Sequence, residues 1–216
     1  MIGKMTSVQI WINLVKSKNR TKVLRSKEMG DTKTVTLEFP EMQPQQRLQE
    51  LILYIAERLQ GDELFGRVKL AKILYVADHE SYLQYGKPIT GAAYIKMQHG
   101  PVPEDFHAIL EELESNRQIV TRETIYFGHL QKRIIPMREA NLTIFSGRDI
   151  QMVEKILRQI EGKTASELSE LSHGLAWQII APNAQIPYEA ALLSDEPLTD
   201  DEIAHALALA QEYGIE

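Results

Sequence analysis

The chain has no cysteine. That absence excludes disulfide staples, thiolate nucleophiles and Cys-based zinc sites, and it suits a reducing cytoplasm. Long apolar runs are missing as well: every hydrophobic stretch is broken by charge short of the roughly 20 residues that span a bilayer. The opening segment MIGKMTSVQIWINLVK has a short apolar run but lacks the longer apolar core and small-residue cleavage site of an export signal. The expectation is a soluble, cytoplasmic chain with no membrane partner. Chemical motifs are equally scarce. The six histidines are scattered with no H-E-x-x-H pair, so no metal site is expected. No G-x-x-x-x-G-K-[ST] loop occurs, and the turns at 86–91 and 100–103 place prolines where a phosphate cradle needs backbone N–H donors. A G-x-S-x-G elbow is absent, and Ser172 and His173, adjacent on a predicted helix, cannot face each other as nucleophile and base. The residues predict neither an enzyme nor a cofactor.

What is present is enough apolar material, 44% of 216 residues, for one sizeable core. The charge is uneven. Residues 1–33 hold eight Lys and Arg side chains against Glu28 and Asp31, while the whole chain carries −6, so the N-terminal arm is basic and the body acidic. A basic arm suits a phosphate backbone or an acidic partner. Because Met29 and Met42 precede the regular pattern, the competing reading is that residues 1–28 are translated from an upstream start.

From Pro44 the pattern becomes regular. Leu48, Leu51, Ile52, Ile55 and Leu59 share one helical face, with Pro44 in the first turn and Gly61 as a stop. Residues 68–83 are apolar almost all round, which predicts a central buried helix ended by Gly86 and Pro88. Residues 92–97 predict a short extended segment. Phe106, Ile109, Leu110 and Leu113 mark an amphipathic helix, with Glu104 and Asp105 in its first turn and Asn116 as a left-handed stop. The β-rich runs 119–127 and 130–135 flank Gly128-His129 and predict a hairpin. Ile150, Val153, Ile156, Leu157 and Ile160 form another helical stripe, and Thr164/Glu167 and Thr199/Glu202 have the capping-box spacing of two more helices. Residues 181–198 hold three prolines and read as a connector anchored by Tyr188 and Leu192. The fold class expected is mainly α with a small β component, a compact helical domain with one β-hairpin, with or without one further short strand.

Four features stand in order between Lys69 and Leu113: an L-Y-x-x-D string (Leu74, Tyr75, Asp78), a G-x-x-x-T-G turn (Gly86, Thr90, Gly91), a Y-x-K-x-x-x-G-P-V-P run (Tyr94 to Pro103) and an acidic helix. With the S-E-x-S-H-x-x-x-W stretch ending at Trp177, this order resembles the Panacea domain, the SocA-like antitoxin family. The resemblance implies three parts: a basic extension over 1–42, disordered or from a mis-assigned start; the SocA-like domain over 43–180; and a connector and helix over 181–216 that pack on the domain. It also implies an antitoxin that neutralises a cognate protein toxin, encoded by an adjacent gene, through direct binding or by presenting the toxin to a protease. Under this resemblance Tyr75, Asp78, Gly91, Tyr94, Lys96, Gly100, Pro101 and Pro103 hold a rigid core turn, and Ser172, His173 and Trp177 brace the C-terminal helices. Specificity then falls to the segments that match least, the arm and the hairpin, where Arg122, Tyr126, Phe127, Lys132 and Arg133 are the candidate partner-binding residues.

Two rivals stand beside it. A helix at 103–116 followed by a hairpin could be a winged-helix DNA-binding regulator, with Arg117, Arg122, Lys132, Arg133 and Arg138 near phosphates. Against this, that helix carries Glu104, Asp105, Glu111, Glu112 and Glu114 and no Lys or Arg, which a phosphate backbone repels. The other rival is a hydrolase or metalloenzyme built on Asp78, His99 and His173. The plainer expectation has Asp78 bonding a nearby backbone turn or Lys96, His79 and Glu80 facing water, and His99 engaged through backbone hydrogen bonds.

Overall fold

The computed structural model describes residues 39–126, 128–172 and 179–192, together with residue 204. The basic arm, Phe127, His173, Trp177 and the Thr199/Glu202 pair lie outside the described residues, as do the side chains of Ser172 and Leu192. The order is α1 (Pro44–Arg58), α2 (Arg67–Tyr85), β1 (Tyr94–Met97), β2 (Gly100–Pro103), α3 (Phe106–Ser115), β3 (Ile119–Tyr126), β4 (His129–Pro136), α4 (Gly147–Gln159), α5 (Ala165–Ser172) and β5 (Gln185–Ile186). Single 3-10 turns occupy Pro40–Met42, Leu142–Ile144 and Tyr188–Leu192.

α2 is the axis of the core. It touches α1, α4, α5, β2, β4 and the Tyr188–Leu192 turn, and it buries Leu70, Ala71, Ile73, Leu74, Ala77 and Tyr82. A helix packed against this many neighbours keeps solvent contact mainly near its ends, at Val68 and at Leu83–Tyr85, which is why its apolar residues do not form a stripe. Gly86 ends it in the left-handed region at φ 72°, its N–H donating to the Tyr82 carbonyl at 2.7 Å. α1, by contrast, lays Leu48, Leu51, Ile52 and Ile55 inward, each worth about 1.5–3 kcal/mol of gross burial.

The ends of α3 differ by a residue from the sequence pattern. Asp105 is its N-cap and Glu104 stands outside, with the Glu104 N–H donating to the Ala93 carbonyl. Asn116 keeps an ordinary φ of −81°, and Arg117 takes the left-handed φ of 56° instead. The Gln118 N–H then bonds the Leu113 carbonyl and the Arg117 N–H the Glu114 carbonyl, which is the paired bonding of a Schellman stop. The Thr164/Glu167 capping box forms as expected at the start of α5, and Ser146/Asp149 makes another at α4.

Strand content exceeds the expected hairpin and optional extra strand. β3 and β4 pair antiparallel from Ile119↔Pro136 to Tyr126↔His129, while a separate three-stranded antiparallel sheet has the order β2–β1–β5. Pro101 and Pro103 made β2 read as a loop, yet β2 lies at the sheet edge, where a residue without an N–H is tolerated. β5 is two residues long inside a proline-rich connector, too short to show alternation. Among the described residues no helix is long and apolar enough to cross a membrane.

Two glycines test the turns that join these pieces. Gly91 sits at φ +78°, and a Cβ there would lie 3.1 Å from the Phe39 Cβ, so Gly91→Ala should lower unfolding free energy by about 1–2 kcal/mol in urea titration. Gly100→Val, at φ 107° with a β-branched side chain, should cost more than Gly91→Ala. A Gly100→Val protein that unfolds like the parent would contradict this account of the β1–β2 turn.

Candidate functional site

Asp78 lies two turns before the end of α2, where the chain reverses through Gly86–Gly91 and passes back over the helix. Its side chain is completely buried. Oδ1 accepts the Ile89 N–H at 2.8 Å and the Thr90 N–H at 2.7 Å. Oδ2 accepts the Tyr94 hydroxyl at 2.8 Å and the Thr90 hydroxyl. Thr90 Oγ1 in turn accepts the Ala92 N–H at 3.1 Å. The Tyr188 hydroxyl donates to the Ala92 carbonyl at 2.6 Å and lies 3.4 Å from Asp78 Oδ2. The partners of this carboxyl are therefore amides and hydroxyls rather than Lys96, whose Nζ donates to the Ile180 carbonyl at 2.8 Å. Burial pushes the Asp78 carboxyl above the ordinary carboxylate range against the pull of its hydrogen bonds. Burial and the neighbouring Asp78 together push the Tyr94 phenol far up, so it remains a donor.

His79 does not face water. Its ring stacks on Tyr75 at 3.9 Å, lies 5.0 Å from Tyr188 and meets Tyr94 edge-on at 5.4 Å. The reason is local packing on α2: the position beside Asp78 points at the Tyr94 and Tyr188 rings, and of Asp78, His79 and Glu80 it is Glu80 that reaches solvent. His79 Nδ1 lies 3.0 Å from the Tyr75 carbonyl and so carries the donated hydrogen. Burial lowers its proton affinity to about 3, which keeps the ring neutral, and Nε2 has no hydrogen-bond partner among the described residues.

The structure thus gathers Thr90, Tyr94 and Tyr188 around the Asp78 carboxyl, with Tyr75 packed on the His79 and Tyr94 rings, Gly91 in the turn that follows Thr90, and Lys96, Gly100, Pro101 and Pro103 in the adjoining β1–β2 hairpin. Lys72 is a further buried residue, its Nζ donating to the Pro101 carbonyl at 3.2 Å. His99 is exposed, and its carbonyl accepts the Ser169 hydroxyl at 3.0 Å. Asp78 is sealed and His99 solvent-facing, so these two do not form an open acid–base pair. No group of three metal-ligating side chains occurs among the described residues.

The basic residues near the β3–β4 hairpin divide into two kinds. Arg133 donates to the Gln60, Asp62 and Glu63 carbonyls at 2.9–3.1 Å, stitching β4 to the loop after α1. Arg138 grips Glu50 at 2.7 and 2.8 Å and also donates to Gln118. Burial pushes Glu50 up, but the Arg138 and Asn141 hydrogen bonds outweigh it and hold its carboxyl below the usual range. Arg117 and Arg122 are exposed, and Lys132 pairs at the surface with Glu123 at 3.1 Å. Near the hairpin tip the opposed pair Ile125 and Leu130 is 79% and 63% exposed.

A family model described as antitoxin SocA-like, Panacea domain, matches residues 70–178, just over half of the chain. The chain belongs to this family. No curated protein and no solved structure matches it. The match to the SocA-like domain takes in Asp78, Thr90 and Tyr94 and leaves out α1 and Tyr188. Tyr188 as a member of the Asp78 cluster escaped the sequence because nothing in the pattern joins positions 110 residues apart, and Lys72 escaped because a lysine on a helix ordinarily reads as a solvent contact.

Removing the carboxyl strands several buried donors. Asp78→Ala should lower stability by about 3–5 kcal/mol and Tyr94→Phe by about 1 kcal/mol in urea unfolding. An Asp78→Ala chain within about 1 kcal/mol of the parent would contradict the cluster's structural weight.

Lys72 gives a pH test. Burial lowers its folded proton affinity from 10.5 to about 8. Below about 8 both states carry the charge and the burial penalty stands in full. Between about 8 and 10.5 the unfolded chain binds a proton that the folded chain lacks, so stability rises with pH across that window. Lys72→Met should therefore exceed the parent at pH 7 by about 1–2 kcal/mol, an advantage that shrinks toward pH 10.5. An advantage independent of pH would mean that the charge is not its source.

Proposed function

We propose that this SocA-like chain is an antitoxin that neutralises a partner toxin by direct protein–protein binding in the cytoplasm, and that it catalyses no reaction itself. The observation that carries the reading is the family match over residues 70–178. It is supported by the direction in which the motif residues point. Asp78, Thr90 and Tyr94 are buried and bond one another, so the chemical groups of the motif serve a turn and recognition falls to the surface.

The hairpin is the interface we favour. Ile125 and Leu130 offer an exposed apolar centre, with Glu123 and Lys132 on the same face of the ribbon and Arg122 and Tyr126 on the opposite face. Buried apolar anchors ringed by polar groups dominate the energetics of such contacts. Arg133, engaged with three carbonyls, supports the hairpin from behind. The toxin is then the product of an adjacent gene, and delivery of the bound toxin to a protease is compatible with the same contact. A winged-helix reading has less support, because Glu111, Glu112 and Glu114 lie on the exposed side of α3 and Arg133 and Arg138 turn inward.

The deciding experiment induces the adjacent gene alone and then with this one, followed by co-purification. Toxicity should be relieved and a stable complex recovered. Ile125→Asp with Leu130→Asp should weaken the complex at least about 30-fold, equivalent to roughly 2 kcal/mol, without changing the melting curve. Absence of both toxicity and complex would overturn the antitoxin reading, and a complex indifferent to the double substitution would move the interface off the hairpin.

A further inference from the structure

A groove of about 430 Å³ runs between the first turn of α1, the start of α3, residues 91–93 and β5. Its floor is apolar, formed by the edges of Leu48, Ile109, Ile186 and Tyr188. Its rim carries the exposed side chains of Gln45, Glu104, Asp105 and Gln185, and among the described residues no Lys or Arg lines it. Each rim carboxylate is without a salt bridge among the described residues, whereas Glu50, Asp62, Glu123, Asp149 and Glu154 each have one.

We propose that this groove holds an extended, cation-bearing segment of a partner protein. Two carboxylates that lack a salt bridge among the described residues, beside an apolar floor, favour Lys or Arg next to a bulky apolar residue, and they repel an acidic segment. The carboxamides of Gln45 and Gln185 can each donate to and accept from the backbone of an extended chain. The volume falls within the range of small-ligand pockets and suits a few side chains rather than a folded domain. One wall is fixed before anything binds: Thr90 and Asp78 position the Ala92 N–H, Tyr188 holds the Ala92 carbonyl, and the Glu104 N–H holds the Ala93 carbonyl. A wall that need not order on binding keeps more of the contact energy as affinity. That the segment belongs to a toxin rests on the antitoxin reading, but the cation preference of the groove does not.

The test titrates the full chain into a fluorescein-labelled Lys-Val-Lys-Leu-Lys-Val peptide and its Glu-Val-Glu-Leu-Glu-Val counterpart, following anisotropy. The basic peptide should bind saturably and the acidic one should not. Glu104→Gln with Asp105→Asn should weaken binding about tenfold. Glu57→Gln with Glu111→Gln, which removes the same charge at exposed positions that do not line the groove, should leave it unchanged. Equal losses in both double variants, or no saturable binding, would overturn the proposal. The chain's own basic residues 1–38 join at Phe39, on the edge of the groove, and are the competing occupant. A carbodiimide cross-link between Lys33 and Glu104 that excludes the peptide would overturn assignment to a partner. Co-purification with the adjacent gene product separates this inference from the antitoxin reading. A complex untouched by the Glu104/Asp105 variant would count against the groove alone. No complex with any variant would count against the antitoxin reading, while the peptide titration would still decide the groove.

Discussion

A carboxyl group sealed in the core without a cation is the constraint from which the turn region follows. Moving such a group out of water costs several kcal/mol unless its lone pairs are filled, and Asp78 meets that demand with two backbone N–H groups and two hydroxyls. Those donors come from a loop that must fold back over its own helix. The reversal explains Gly86 at the helix end, Gly91 at positive φ, Thr90 between Asp78 and Ala92, and Tyr94 at the start of β1. The spacing of the motif is thus the spacing of donors around one acceptor.

The same turn is clamped from the other side. Arg47 on α1 donates to the Ile89 carbonyl at 2.6 Å, to the Ile144 carbonyl, and to Asp149 at 2.9 Å, with its guanidinium 4.6 Å from the centre of the Phe145 ring. Asp149 also closes the capping box of α4 by accepting the Ser146 N–H. One planar five-donor group therefore joins α1, the Asp78 turn and the entry to α4, a role for which a lysine lacks the geometry. Arg138 and Arg133 repeat the device, one fixing β4's far end to α1 through Glu50 and the other fixing β4 to the loop after α1.

This use of arginine also marks where the sequence stopped being readable. Helical stripes were legible in α1, α3 and α4 because apolar periodicity reports directly which face is buried. Lysine, arginine and histidine carry no such sign of direction. Arg133 and Arg138 read as part of a basic wing yet bond inward, and His79 and Lys72 read as polar yet are enclosed by the rings and strands around α2. β2 and β5 were hidden for a different reason: two prolines mask an edge strand, and a two-residue strand has no period. Asp78 bonding a backbone turn was the part of the site that the sequence did convey, because a lone acid in a buried helix followed by a G-x-x-x-T-G turn has few other ways to be satisfied.

The hairpin differs from the rest of the molecule in what protects it. A two-stranded ribbon leaves both outer edges open to pairing with another chain. Glu114 covers part of one edge by accepting the Thr121 N–H at 3.0 Å, and the side chains of Gln131 and Arg133 tie the other strand to the loop after α1. Neither device extends to Ile125 and Leu130, where two large apolar side chains meet across the strands in contact with water. They are the most exposed large apolar side chains among the described residues, ahead of Met137 at 59% and Val68 at 52%. An apolar pair at the end of an otherwise guarded ribbon is a hazard for a chain that acts alone, and an anchor for one that acts by holding another protein.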